Sequence, residues 1–256
     1  MVRLYMIGVL MLVAVTGTVV AEQSPEKVLE TARALYADER YDSTIVLIKQ
    51  FFERNGKHPV TEHLVPILME ALVRANEIHS APRLHEIYRK KFPTSAYMPR
   101  MDYLNGIVAA RQRQYVDAIE LFSRALKGGV NSELDSLIGR NVILLCDESL
   151  NANDIGSLLK REDLHQHVRE ALAYGLIRHY HTKRQLGRAE RESKEFLARY
   201  PDSRYAPIVS RIASASEAEQ GDYVPIGVLA PLNGYDADIG RRILQGLKLA
   251  VDEYNK

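Results

Sequence analysis

Tyr115-Val-Asp-Ala-Ile-Glu-Leu-Phe-Ser-Arg-Ala-Leu126 is the stretch on which the reading of this chain turns. Tyr115, Ala118, Ile119, Phe122 and Leu126 fall at helical spacing on one face, with Asp117, Glu120 and Arg124 elsewhere around the helix. The small side chain of Ala118 leaves room for a second helix to approach. The pattern then recurs: Thr44, Ala81, Ala118, Asp154 and Ala189 are separated by 37, 37, 36 and 35 residues. A lone helical hairpin cannot bury its apolar face, whereas stacked hairpins share one core, so a period of this size points to a helical array.

Helix stops and starts divide the chain accordingly. Ser24-Pro25 begins a first helix that runs to about Asp38, and Tyr41–Arg54 follows, ended by Asn55-Gly56. Val60–Ala75 pairs with Ile78–Phe92, stopped by Pro93, and Ala96–Arg113 pairs with Tyr115–Lys127, stopped by Gly128-Gly129. Ser132–Ser149 and Ala152–Lys160 form a shorter pair, and Leu164–Lys183 and Leu186–Tyr200 the last, stopped by Pro201. Ala206–Gln220 is a single further helix that caps the final hairpin.

Residues 24 to about 220 resemble the tetratricopeptide repeat family. That family's small first-helix position falls on Ala32, Met69, Gly106, Val142 and Ile177, its second-helix alanine on Thr44, Ala81, Ala118, Asp154 and Ala189, and its proline on Gly56, Pro93, Val130, Gln166 and Pro201. The resemblance implies an α-solenoid with a groove, lined by first helices, that takes a peptide or partner helix. Large residues at Met69, Val142 and Ile177 are expected to widen the spacing in their hairpins. The ends Phe92-Pro-Thr-Ser-Ala-Tyr97 and Tyr200-Pro-Asp-Ser-Arg-Tyr205 look like one another, and also like repeats of bacterial envelope proteins.

The leader fits that setting. Residues 1–21 carry Arg3 ahead of an apolar run, Leu4–Val15, with Val19 and Ala21 at the small-residue positions of a cleavage site and Glu22 as the mature start. The expectation is export to the periplasm. The alternative is an uncleaved inner-membrane anchor, since Leu4–Ala21 is uncharged throughout and just long enough to span. No cysteine follows the leader to accept a lipid.

Composition narrows the function. The formal charge of +1 leaves no basic footprint, and no nucleic-acid partner is expected. The single cysteine, Cys146, lies in an apolar helix and reads as a small buried hydrophobe. Of eight histidines, His165/His167 and His179/His181 are two apart, which on a helix separates them by about 200°. They are read as surface or interface groups, with no metal and no cofactor. Glu190, Glu192 and Glu195 alternate with Arg188, Arg191 and Lys194 as a solvated helix face. No nucleophile context or phosphate loop is present, and the chain is read as non-enzymatic.

At Tyr223 the period changes. Val224–Pro231 is a short apolar run of the kind a buried parallel strand uses, 232–238 is a turn, and Ile239–Tyr254 is helical, with Ile239, Ile243, Gly246, Leu247, Ala250 and Tyr254 on one face. Strand, turn and helix open a βαβ unit. Ile226–Asn255 resembles the first strand and helix of the periplasmic leucine/isoleucine/valine-binding family, the type I substrate-binding fold. That resemblance implies ligand contacts at Asn233, Gly234, Tyr235 and Ile239. The family commonly carries Ser or Thr at Asn233, Pro at Tyr235 and an aromatic at Ile239. One βα unit cannot close a pocket, so the chain is expected to be the front of a longer protein.

The domain plan is therefore a leader (1–21), a helical-repeat domain (22–220) and the start of a binding domain (224–256). The expected partners are a protein or peptide in the repeat groove and, if the last domain is completed, a small molecule such as a branched-chain amino acid. The membrane enters only through an uncleaved leader. The plan is similar to that of the penicillin-binding-protein activator family, which implies an activator of envelope synthesis as an alternative. A repeat-only interaction protein is the third reading.

Overall fold

The computed structural model describes residues 24–55, 58–129, 132–219 and 237–254. They form α1 (Pro25–Ala37), α2 (Tyr41–Asn55), α3 (Thr61–Arg74), α4 (Ala81–Lys91), α5 (Met98–Arg111), α6 (Tyr115–Lys127), α7 (Ser132–Glu148), α8 (Ala152–Leu159), α9 (Gln166–Thr182), α10 (Leu186–Arg199), α11 (Ala206–Glu219) and α12 (Ala237–Tyr254). No strand occurs among the described residues, and the strand expected over Val224–Pro231 lies outside them. The leader 1–21 lies outside them too. None of the described helices is long and apolar enough to cross a membrane. The chain divides into two compact units, Met1–Ser136 and Leu137–Lys256.

In the first unit α1 to α6 pack as successive hairpins, each also touching the next. Ser24 caps α1, its hydroxyl accepting the Lys27 N–H at 3.3 Å. The core of the first hairpins joins Val28 and Ala32 of α1, Ile45, Ile48 and Phe51 of α2, and Leu64, Leu68 and Leu72 of α3. Each of these side chains larger than alanine contributes about 1.5–3 kcal/mol by leaving water. The expected stripe on α6 is buried at Ala118, Ile119, Phe122 and Leu126, and only half-buried at Tyr115.

The small position of the third hairpin behaves as expected. A Cβ added to Gly106 would lie 2.6 Å from the Phe122 ring and 3.3 Å from the Ala118 carbonyl, so the hydrogen there is what lets α5 and α6 close up. The backbones of α3 and α4, with Met69 at that position, approach over less of their length than those of α5 and α6, but α9 and α10 approach over more than α1 and α2 although Ile177 stands where α1 has Ala32. In the second unit two glycines admit a neighbour: Gly139, whose added Cβ would meet the Tyr205 hydroxyl at 2.6 Å, and Gly175, two residues before Ile177. The Cβ added at Gly175 would sit 2.6 Å from Cys146 of α7.

The turns carry the repeat as backbone geometry. Glu39, Asn76, Arg113 and Arg184 all have φ near +60°. Each follows a first helix and sits in a Schellman turn: the next N–H reaches back five residues, from Arg40 to Leu35, Glu77 to Leu72, Gln114 to Ala109 and Gln185 to Tyr180, each at 2.9 Å. The hairpin of α7 and α8 keeps the five-residue bond, from Leu150 to Leu145 at 2.9 Å, but without a positive φ. There Asn151 caps α8, accepting the N–H groups of Asn153 and Asp154, while the Asp154 carboxylate accepts the Asn151 N–H.

That cap corrects one sequence assignment. Asp154 is exposed and serves the capping box, and the buried second-helix position of this hairpin is Ile155. With Ile155 in place, the buried positions Thr44, Ala81, Ala118 and Ile155 are each 37 residues apart, and Ala189 follows after 34. Two other expectations shift. Ile78–Ser80 forms a 3-10 turn, and α4 starts only at Ala81, because Pro82 suits a first turn alone. The helix expected from Ala96 starts at Met98, with Pro99 in its first turn.

Pro66 lies inside α3 and has no N–H to give to the Glu62 carbonyl one turn back. The Tyr88 hydroxyl of α4 donates to that carbonyl at 3.0 Å, and Ser95 donates to Tyr88 at 2.7 Å. Burial pushes the Tyr88 phenol up to about 12, so it stays a donor. The two similar helix ends also match in structure. Ser95 and Ser203 each accept the N–H two residues on, from Tyr97 and Tyr205, at 3.3 Å. Ser203 in turn donates to buried Glu170 at 2.8 Å, and Gln166 supplies that carboxylate's other oxygen with a bond of equal length.

Candidate interaction groove

In the second unit, α8 is the shortest of the helices that follow a first helix. It has 8 residues, against 15 in α2, 11 in α4, 13 in α6 and 14 in α10. At about 1.5 Å per residue it ends some 5–10 Å sooner than its counterparts. A cavity of about 650 Å³ opens beside it, between α8 and α10 with α9 as its floor. Leu176 and Tyr180 form that floor, Glu192, Glu195 and Arg199 the α10 wall, and Asn153, Gly156 and Ser157 the α8 wall, with Lys160 and Glu162 just beyond. A Cβ added at Gly156 would meet nothing within 4 Å, so this wall is open backbone.

The charges are arranged unevenly. Glu192 and Glu195 lie one turn apart on α10 with Glu162 across from them, against Lys160 and Arg199. The Glu192 carboxylate has Arg191 at 3.3 Å, and Arg199 lies over the Tyr200 ring at 5.6 Å. The Tyr180 ring is covered on one side by Arg188 at 5.7 Å. Two smaller clefts, of about 360 Å³ each, lie in the first unit: one at the α1–α2 turn with Ala75, the other around Pro99, Arg100 and Glu133.

The first unit holds a buried ionic cluster that the sequence reading did not find. His85 of α4 and Arg124 of α6 converge on Asp102 of α5. His85 Nε2 lies 2.7 Å from Oδ1, and Arg124 donates from Nε to Oδ2 at 3.0 Å and from a terminal nitrogen to Oδ1 at 2.8 Å. Burial pushes the Asp102 carboxyl up, but the hydrogen bonds from His85 and Arg124 outweigh it and hold the carboxyl below its usual range. Both oxygens are engaged and His85 and Asp102 are almost wholly buried, so the cluster joins helices. The signal was positional. His85 occupies the register taken by Ile48 and Phe122 in the neighbouring hairpins, where a polar residue needs a partner.

His85 is buried where α4 meets α5, an interface place and not a surface one. His165 departs from its expected place within a helix: it caps α9 from outside, accepting the His167 N–H at 3.2 Å, and that frees the two rings to meet edge to face at 5.1 Å. Among the described residues no group of three His, Cys, Asp or Glu side chains could hold a metal ion. Cys146 is buried, and burial pushes its thiol up to about 12. Near it, stacked Tyr174 and Tyr205, 4.8 Å apart, lie between the guanidinium groups of Arg178 and Arg204.

Of the residues implied by the binding-protein resemblance, Asn233, Gly234 and Tyr235 lie outside the described residues. Ile239 stands in the first turn of α12 and is 57% exposed. Ile243, Leu244, Leu249 and Val251 of the same helix are also exposed.

No family model matches the chain, and no curated protein matches it. Among solved structures, a candidate protein-binding protein from Bacteroides ovatus ATCC 8483, determined at 2.19 Å, is similar to 78% of this chain over 100% of its own length. The two are 14% identical, with a TM-score of 0.35.

Proposed function

We propose that this chain is an exported, non-enzymatic binding and scaffold protein, whose helical hairpins hold a protein partner and whose C-terminal stretch begins a type I substrate-binding domain. The observation that carries the partner-binding part is the groove beside the shortened α8. The export part is supported by the 1–21 leader. The binding-domain part is supported by the resemblance over Ile226–Asn255, and by α12 forming the expected helix with apolar side chains open to cover.

Photocrosslinking in cells tests the partner reading. A photoreactive amino acid replaces Gly156 in the groove or, as a control, exposed Val46 of α2. A discrete crosslinked adduct from position 156 alone is expected, and none from 156, or the same pattern from both, refutes the reading. Fractionation tests export: the protein is expected in the periplasm or at the inner membrane, and recovery from the cytosol with residues 1–21 intact refutes it.

A further inference from the structure

The place where the chain enters the first unit bears on what that unit rests on: we propose that the leader stays in the inner membrane as an anchor, and that the end of the first unit where α1 begins lies on anionic lipid headgroups. The inference rests on the export reading above, takes its anchored form, and adds a lipid-facing surface on the helical hairpins themselves. Ser24, the cap of α1, follows Ala21, the last of the uncharged run, by three residues. Three residues reach at most about 11 Å, so a leader that spans as far as Ala21 holds this end close to one Debye length from the headgroups. Charges on it then act directly on the lipids.

The topology fixes which helix ends share that position. Short turns make the helices of a hairpin antiparallel, so the end of each second helix lies beside the start of its first. The Tyr88 hydroxyl, in the last turn of α4, accordingly meets the Glu62 carbonyl in the first turn of α3 at 3.0 Å, and a Cβ added at Gly128, just past α6, would lie 2.9 Å from Pro99 of α5.

This end is basic. The first two hairpins expose Lys27, Arg54, Arg89, Lys90 and Lys91 there, against the carboxylates of Glu26, Glu53 and Glu62. At the opposite end the sign reverses, with Asp38, Glu39, Asp42 and Glu77 against Arg40, Arg74 and Arg83. The helix dipole favours a cation in a last turn, and one suffices in α2 and in α10, whereas α4 carries three in succession. Glu86 lies one turn further in and pairs with Lys90 at 2.6 Å, but both side chains are well exposed and such a pair is weak in water. Lys91 lies over the Phe92 ring at 5.2 Å and is exposed too. Glu133 and Asp135 of α7 join this end only beyond the third hairpin, which leaves the positive charge centred on the ends of α2 and α4.

The test reconstitutes the full chain into phosphatidylcholine vesicles, with and without phosphatidylglycerol, that carry a nitroxide on some headgroups. A fluorophore is placed on Thr94→Cys, exposed just past α4, or on Val116→Cys, exposed at the opposite end, while buried Cys146 is left unlabelled. The two positions are about 20 Å apart, the length of a 13-residue helix. With phosphatidylglycerol present, the nitroxide is expected to quench the label at 94 at least about threefold more than the label at 116, and salt should narrow that gap. Combining Arg89→Glu, Lys90→Glu and Lys91→Glu should narrow it as well, with helical circular dichroism unchanged to show that the fold is kept. Equal quenching at the two positions, stronger quenching at 116, or a gap indifferent to salt and to the charge reversal overturns the proposal. Fractionation separates this from the reading beneath it. Protein recovered soluble in the periplasm and starting at Glu22 overturns the anchored form and leaves export standing, whereas cytosolic protein with residues 1–21 intact overturns both.

Discussion

Replacing Asp102 by asparagine tests whether the buried cluster holds hairpins together. The side chain keeps its shape, but one of its two acceptor oxygens becomes an NH2 donor. If the remaining oxygen faces Arg124 and His85 at the Oδ1 position, the new NH2 points at the Arg124 Nε–H, which now meets a donor at about the 3.0 Å it formerly bridged. Flipping the amide moves the conflict to the Arg124 terminal nitrogen, which donates to the Oδ1 position at 2.8 Å. Losing at least one charge-assisted bond and weakening the others should cost about 3 kcal/mol. The Arg124 side chain is 38% exposed and can turn to water, which caps the loss. Urea unfolding at neutral pH reads it as a lower midpoint with an unchanged slope.

The pH dependence has a fixed sign. The folded-state carboxyl is held below its unfolded value near 3.8, so its contribution is present above that value and lost as pH falls through the folded one. The gap between wild type and Asp102→Asn should therefore be wide at neutral pH and close in strong acid. A difference under about 1 kcal/mol at neutral pH, or one that widens on acidification, would refute the reasoning.

Arg113→Gly should stabilise the fold by about 1 kcal/mol, because φ of +63° strains a side chain and suits glycine; a lower melting temperature would contradict this. Gly106→Ala should cost about 1–3 kcal/mol through overlap with the Phe122 ring, and Phe122→Leu should recover part of it in the double variant. Tyr88→Phe should cost about 1–2 kcal/mol by orphaning the Glu62 carbonyl, and much less in a Pro66→Ala background, where a helical N–H returns to that carbonyl. Cys146 should resist a thiol reagent at pH 8 until denaturant is added; prompt labelling of the native protein would show that the burial is wrong.

The hairpins were legible because their signals are local. Ser24-Pro25, Pro93, Pro201 and the 3.6-residue stripe of Tyr115–Leu126 act within a turn or two, and the helices began and ended close to those marks. The misses came from contacts distant in sequence or from competing caps. Asp154 looked like a degraded repeat position because its capping duty depends on Asn151. His85 looked like any other histidine because Asp102 lies 17 residues away. Pro66 was not weighed as a break, and its repair comes from Tyr88 on another helix. The α8 wall of the groove was visible only as a weak, short helical pattern, and its meaning needed α9 and α10 beside it.

Tyr41, Ile78, Tyr115 and Ala152 each open the second half of a hairpin, and every step between them is 37 residues; Leu186 follows Ala152 by 34. The early hairpins thus share one register. Excising residues 41–77 would splice Arg40 onto Ile78 in the frame that Tyr41 now occupies. The same length cut from residue 152 onward would overshoot the next such boundary by three residues, which shortens α10 by about 4.5 Å at its start and rotates its buried face by about 60°.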